Sequence, residues 1–265
     1  MNSKTMTMKT PLVLSVLASL AIGCGGEIQQ LCFIQRPGLG GYAIVFNQTG
    51  AASGTCGAAE TAFLKDRMGD IYTMDKFRED QSQLGIRPGS LLTIIPADPT
   101  DPTSTDTIKR PTAASLALGD FDQLVPDANN TCVVKTLNAV TGEGGSSAGR
   151  GIQLTNVRFL TGSLYQGSQV EMDATYSLNA CSRTYHGIGI TPVVSCDTAD
   201  ANACNASGNP GAGIPASGIN PSFPVKCDAA TGALFPVRYA GATPTVLPAG
   251  DPICWLTSET FPVLK

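Results

Sequence analysis

The chain has 265 residues, of which 42% are apolar and 14% charged, with a formal net charge of −4. Soluble domains carry about 25% charged residues, so this surface is unusually neutral, and a nucleic-acid binder is excluded because no basic run exceeds Lys109-Arg110. The 29 Gly and 18 Pro interrupt nearly every stretch of three helical turns, which excludes a coiled coil or a long helical bundle.

Residues 1–23 read as an export signal. Lys4 and Lys9 make the start positive, and the apolar run Pro11 to Ile22 ends at Gly23-Cys24. That run spans about 18 Å as a helix, short of the ~30 Å hydrocarbon layer, so it fits a secretory h-region and not a membrane span. Ala21-Ile22-Gly23-Cys24 resembles a bacterial lipobox, in which the Cys becomes the lipidated N-terminus. Cysteine parity agrees: there are nine, and assigning Cys24 to lipid leaves eight, an even number for an oxidising compartment. Removing residues 1–23 takes away Lys4 and Lys9 but no acid, leaving 15 basic and 21 acidic residues and a formal charge of −6. Residues 24–27 then form a short lipidated tether. Gly25 stands where inner-membrane retention favours Asp, which implies an outer-membrane destination.

Cys32, Cys56, Cys132, Cys181, Cys196, Cys204, Cys227 and Cys254 contain no C-x-x-C pair, and the only His is His186. Zinc and thioredoxin-like chemistry therefore lack their spacings, and disulfides are the expected use. Eight cysteines allow 105 connectivities. Local bridging is favoured in the C-terminal half, where five of them lie within residues 181–254.

In chain order, strands are predicted at Ile28 to Phe33 and Tyr42 to Asn47, separated by the turn-forming PGLGG. Ala58 to Arg67 is the best helical candidate, with Gly69 as a stop. Asp70 to Phe77 gives no clean alternation and stays open between helix and strand. Ser90 to Ile95 reads as an apolar strand, and residues 96–111, rich in Pro, Thr and Asp, as a surface loop or linker. Further strands are expected at Ala113 to Leu118, Cys132 to Val140 and Gly151 to Leu160. The clearest is Gln169 to Leu178, where Val170, Met172, Ala174, Tyr176 and Leu178 alternate with Glu171, Asp173, Thr175 and Ser177. That is the mark of a half-buried antiparallel strand. Cys181 to Val194 continues as one long or two short strands, residues 197–222 as loop, and short strands return at Phe223 to Lys226, Leu234 to Tyr239 and Ile253 to Leu256. The predicted fold is all-β, mainly antiparallel and sandwich-like, with at most one short helix, long Gly/Pro-rich loops and several disulfides. An N-terminal β-rich part (28–95) and a disulfide-stapled β domain (112–265) flank the linker, and the two are compatible with a single domain.

Gly145-Ser146-Ser147-Ala148-Gly149 matches the G-x-S-x-G elbow of α/β-hydrolases, and Asp173 and His186 follow in that family's order. The elbow requires a strand-to-helix turn, whereas a strand-like segment follows here, so a hairpin loop is favoured over a nucleophile. Glu171 and Asp173 sit about 7 Å apart on one strand face, a solvated edge more than an acid–base dyad. Asp197, Asp200 and Asn202 between Cys196 and Cys204 fit no established calcium pattern. No catalytic residue, metal or cofactor is assigned.

The lipobox at Cys24, the segment YSLNACSRTYHGIGITPVVSCD, the run LALGDFDQLVPDANNTCVV and the late SGINPSFPVKCD before CWL resemble the cysteine-rich lipoproteins of the myxobacterial type. That family carries no assigned activity, so the resemblance implies export and anchoring only. The expected function is a membrane-anchored structural or binding module of the cell envelope, with the lipid bilayer and an envelope protein or glycan as partners. The rival functions are an envelope serine hydrolase using Ser147 and His186, and a calcium-dependent adhesion module.

Overall fold

The structure is a computed structural model that describes residues 31–35, 41–92, 94–95, 100, 107–108, 112–161, 167–200, 203–204, 217–235, 238–239, 246–247 and 250–264. The export signal (1–23), Cys24, the tether (24–27), the first residues of the Ile28 to Phe33 strand, most of the 96–111 linker and Asn202 lie outside the described residues.

The alternation in Gln169 to Leu178 is realised as a strand with Val170, Met172, Ala174 and Tyr176 buried on one face. The strands in chain order are β1 (Tyr42–Gln48), β2 (Ser53–Gly54), β3 (Arg67–Phe77), β4 (Gln83–Pro88), β5 (Ile94–Ile95), β6 (Thr107–Ile108), β7 (Ala117–Asp120) and β8 (Thr131–Thr136). They continue as β9 (Val140–Thr141), β10 (Arg150–Leu160), β11 (Gln169–Leu178), β12 (Cys181–Ile190), β13 (Val225–Asp228), β14 (Arg238–Tyr239), β15 (Val246–Leu247) and β16 (Ile253–Leu256). Among the described residues there are two short α-helices, α1 (Ala58–Phe63) and α2 (Ala229–Gly232).

The main sheet runs β7-β4-β3-β1-β12-β11-β10-β8, with β2 added to β12 and β9 to β10. The strands from before the 96–111 segment, β4, β3 and β1, lie between β7 and β12 from after it, and residues 31–265 form one compact unit. The two end strands meet: Asp122 N–H donates to Val133 O and Asn138 N–H to Leu118 O, each at 2.9 Å. The all-β antiparallel expectation therefore holds, but the facing layers belong to one sheet rolled into a barrel. Rolling covers the edges that an open sheet would leave to solvent.

The barrel interior holds an aromatic layer. Phe46 packs on Tyr72, Tyr176 and Tyr185 with ring centroids 5.7, 5.2 and 6.4 Å apart. Gly187 and Gly189 of β12 make room for it, since a Cβ at either would press into Phe46 or Ile44. The outer face of β1, β3 and β12 is also apolar. There Ala43, Val45, Ile71, Ile188 and Ile190 pack against Phe223, Phe235, Ile253, Trp255 and Val263 of the C-terminal segment. β1 is thus buried on both faces from Tyr42 to Phe46, which explains its continuous apolar run. Gln169 pins the tail by accepting from Val263 N–H at 2.9 Å and donating to Val263 O at 3.3 Å.

All eight described cysteines pair: Cys32–Cys132, Cys56–Cys181, Cys196–Cys227 and Cys204–Cys254. The last two bridges are local to the C-terminal layer, as favoured. Cys181, however, reaches back across 125 residues to Cys56, because β2 pairs with the start of β12.

Several elements differ from their predicted bounds. The Ala58 to Arg67 helix stops at Phe63, since Lys65 O accepts from Tyr185 O–H at 2.9 Å and Arg67 already pairs with Asn47 in the sheet. Leu31 to Gln35 is not a strand. Ser90 to Ile95 begins as a 3₁₀ turn at Gly89–Leu91 and contributes only β5, because Ser90 is drawn to a buried carboxylate. Ala113–Ser115 is likewise a 3₁₀ turn before β7. Cys132 to Val140 splits into β8 and β9, Cys181 to Val194 ends at Ile190, and β4 had no element predicted for it.

Candidate functional site

The structure separates the residues of the hydrolase-like motif. Ser147 ends a 3₁₀ turn, is fully buried, and its Oγ accepts from Glu143 N–H at 3.0 Å while donating to Gly144 O at 2.9 Å. Arg150, three residues later, pairs with Leu178, whereas His186 pairs with Asp173 five residues away on the same strand. That offset is about 17 Å along β11. Ser147 and His186 therefore belong to different ends of the sheet, and no strand-to-helix elbow presents the serine. The serine hydrolase reading is corrected on this geometry.

His186, Asp173 and Glu171 do come together, on the outer face of β11 and β12. His186 Nδ1 lies 3.0 Å from Asp173 Oδ1 and its Nε2 lies 3.5 Å from Glu171 Oε2. Glu171 is buried against Arg158, which also faces the Phe261 ring at 5.8 Å. Burial raises the Asp173 carboxyl, but hydrogen bonds from Asn156 and His186, with the nearby charges of His186 and Arg158, hold it below its ordinary value. The strip continues through Asn47, which donates to Glu259 Oε2 at 2.7 Å, and Arg67, which is ion-paired with Glu259. It fastens the C-terminal segment to the barrel through neutralised pairs. Trp255 is buried with Nε1 3.4 Å from Glu259 Oε1, so it is a core residue and not a stacking platform for sugars.

Asp197 closes its own turn by accepting from Ala199 N–H at 2.9 Å, and nothing in the described part of the loop gathers it with Asp200 around a cation. Among the described residues one group could hold a metal by distance, the sulfurs of Cys196, Cys204 and Cys254 within 4.8 Å of one another. All three are in disulfides and offer no thiolate.

A cavity of about 280 Å³ opens where β3, paired with β1 on one side, has no β4 partner on the other over Arg67–Ile71. Its walls come from four elements: Ala62 and Phe63 of α1, Met68 and Asp70 of β3, Ser90 and Leu92 around the 3₁₀ turn, and Arg150 of β10, with Leu234 at the rim. The Cys56–Cys181 bridge holds the segment leading into α1. Within α1, Glu60 accepts from Gly57 N–H at 3.0 Å and from Asn179 Nδ2 at 2.8 Å, so the helix is tied to the β11–β12 turn.

Asp70 occupies an interior position of β3 between Met68 and Tyr72. Its Oδ1 accepts from Ile71 and Ser90 N–H at 2.8 and 2.9 Å, and its Oδ2 from Ser90 Oγ at 2.6 Å and Tyr176 O–H at 3.2 Å. Tyr176 in turn shares a 2.5 Å hydrogen bond with Tyr72. Burial pushes the Asp70 carboxyl up to about 6 despite those four donors, and burial raises both tyrosines well above their ordinary value. Arg150 donates to Ser90 O at 2.7 Å and lies over the Phe63 ring at 4.7 Å. An apolar recess with convergent polar groups and a perturbed carboxyl is the usual form of a ligand site.

Asp70 and Arg150 were missed by sequence reasoning. Asp70 carried a readable signal, being an acid in the interior register Met68, Tyr72, Met74; Arg150 carried none, since it begins a strand after a glycine-rich loop.

The chain is 28% identical over 251 residues to a Myxococcus xanthus protein named "Putative lipoprotein MlpA", an alignment covering 92% of this chain and 96% of that protein. No solved structure matches it significantly. The MlpA family profile matches residues 41–192, which is the barrel from β1 to β12 with its cavity-bearing β3 and β10. Since that match takes in more than half of the chain, the protein belongs to the MlpA family.

Proposed function

We propose that this chain is an exported lipoprotein, cleaved before Cys24 and acylated there, whose disulfide-closed barrel serves as a binding module of the cell envelope. The observation that carries the binding role is the cavity walled by Phe63, Met68, Leu92 and Leu234, with Asp70 and Arg150 inside it. Anchoring is supported by the apolar run before Gly23-Cys24, by the pairing of all eight other cysteines, and by the name of the Myxococcus xanthus relative. Four disulfides are chemistry of an oxidising compartment. Three acyl chains, the lipoprotein pattern, would hold the chain stably where one would not. Residues 24–27 act as the tether, residues 96–111 as a surface linker, and Gly25 directs the protein to the outer membrane, where the barrel meets an envelope protein, a glycan or a small ligand.

Metabolic labelling with palmitate tests the anchor. The wild-type chain is expected in the membrane fraction with label, and Cys24→Ala without it. Full labelling of Cys24→Ala refutes acylation at that residue.

A further inference from the structure

We propose that the β3 cavity binds an amphipathic carboxylate, its anionic head on Arg150 and its aliphatic tail against Phe63, Met68, Leu92 and Leu234. This deepens the binding-module reading and rests on it. The head group follows from what Arg150 leaves over. A guanidinium has five donors in a planar fork; among the described residues Arg150 spends one, on Ser90 O, and its plane lies near the Phe63 ring. The side chain is half-buried at the cavity wall, where a bidentate acceptor gains more than it would in water.

Asp70 makes no hydrogen bond to that fork, although its charge lies near enough to favour the Arg150 cation. Its two oxygens are filled by Ile71, Ser90 and Tyr176, so it neither pairs directly with Arg150 nor offers a free acceptor to an incoming ammonium group. Lys65, the other charged residue in the lining, is exposed and adds positive charge. The balance favours an anion over a cation.

The tail follows from the remaining walls, which are mostly Ala, Phe, Met and Leu side chains and the backbone of Gly69 and Gly89, with Ser146 as a further polar residue. The volume of about 280 Å³ suits a medium-chain acid, and octanoate is the probe.

The test is calorimetric titration of the full mature chain, oxidised and carrying Cys24→Ser so that no acyl group or detergent is present. Octanoate, octylamine and 1-octanol are the probes. Octanoate should bind once per chain, and Arg150→Gln should weaken it by roughly tenfold or more, the worth of a charge-assisted hydrogen bond. Ala62→Trp, at an exposed α1 position on the cavity rim, should abolish binding without touching Arg150 or the core; it keeps the test decisive if Arg150→Gln fails to fold. Equal or tighter binding of octylamine or octanol, or octanoate binding unchanged in Arg150→Gln, overturns the carboxylate assignment and leaves the cavity as a binding site. Binding of none of the three, or binding that survives Ala62→Trp, removes the cavity itself, and with it the reading of the barrel as a small-ligand module.

Discussion

Asp70→Asn isolates the one buried carboxylate of the cavity. The folded protein raises its carboxyl from 3.8 to about 6, so the native state holds the proton more tightly than the unfolded chain. For an acid shifted upward, stability is greatest below the unfolded value, falls as pH rises through the window from 3.8 to 6, and stays low above it. Roughly two pH units at 1.36 kcal/mol each give about 3 kcal/mol lost across that window. Asn keeps an oxygen for the Ile71 and Ser90 amides, and the Ser90 and Tyr176 hydroxyls can turn to accept from its NH₂. It adds an offset that does not titrate. Urea unfolding of the oxidised protein at several values between pH 4 and 8 reads the difference directly. The stability of Asp70→Asn relative to wild type should improve by about 2.4 kcal/mol from pH 4 to pH 7, the rest of the loss falling below pH 4. A difference that stays flat across that range refutes the account of Asp70 as a buried acid destabilised by its own ionisation.

Two further outcomes check the fold. Replacing Cys56 and Cys181 together by Ala opens a 125-residue loop and should cost about 4–5 kcal/mol, read as a lower urea midpoint without reductant; a loss under about 1 kcal/mol would contradict the staple. Ser147→Ala deletes a buried hydroxyl that closes its turn, and should lower stability by about 1–2 kcal/mol in the same assay; an unchanged midpoint would show that the turn holds without it.

The C-terminal layer and the barrel are interdependent. Trp255 and Val263 cover the outer face of β1, while Glu259 takes Asn47 and Arg67 from the sheet beneath. The family match ends at residue 192, before this layer begins, yet Leu234 from the layer completes the cavity rim and its carbonyl accepts from Gly69 N–H of β3 at 3.2 Å. The cavity thus combines the barrel with residues outside the matched span.

What the sequence by itself determined was local: the alternation that turns Val170, Met172, Ala174 and Tyr176 of β11 to one buried face, the apolar runs of β1 and β16, the Gly and Pro that keep helices to one or two turns, and an even set of cysteines after residue 24. These properties depend on neighbours a few positions away, so a linear reading reaches them. Only the tertiary structure decided that Arg67 joins a strand and not a helix, that Ser90 turns toward Asp70, that Cys181 bonds to Cys56, and that Ser147 and His186 lie apart. Each of these depends on a partner tens of residues away: Asn47 on β1, a buried carboxylate on β3, the β2–β12 pairing and the register of β10 on β11. Hydrogen bonds and disulfides across that distance exist only once the sheet has rolled, and burial, which raises the Asp70 carboxyl, is a property of the closed barrel and not of any segment of it.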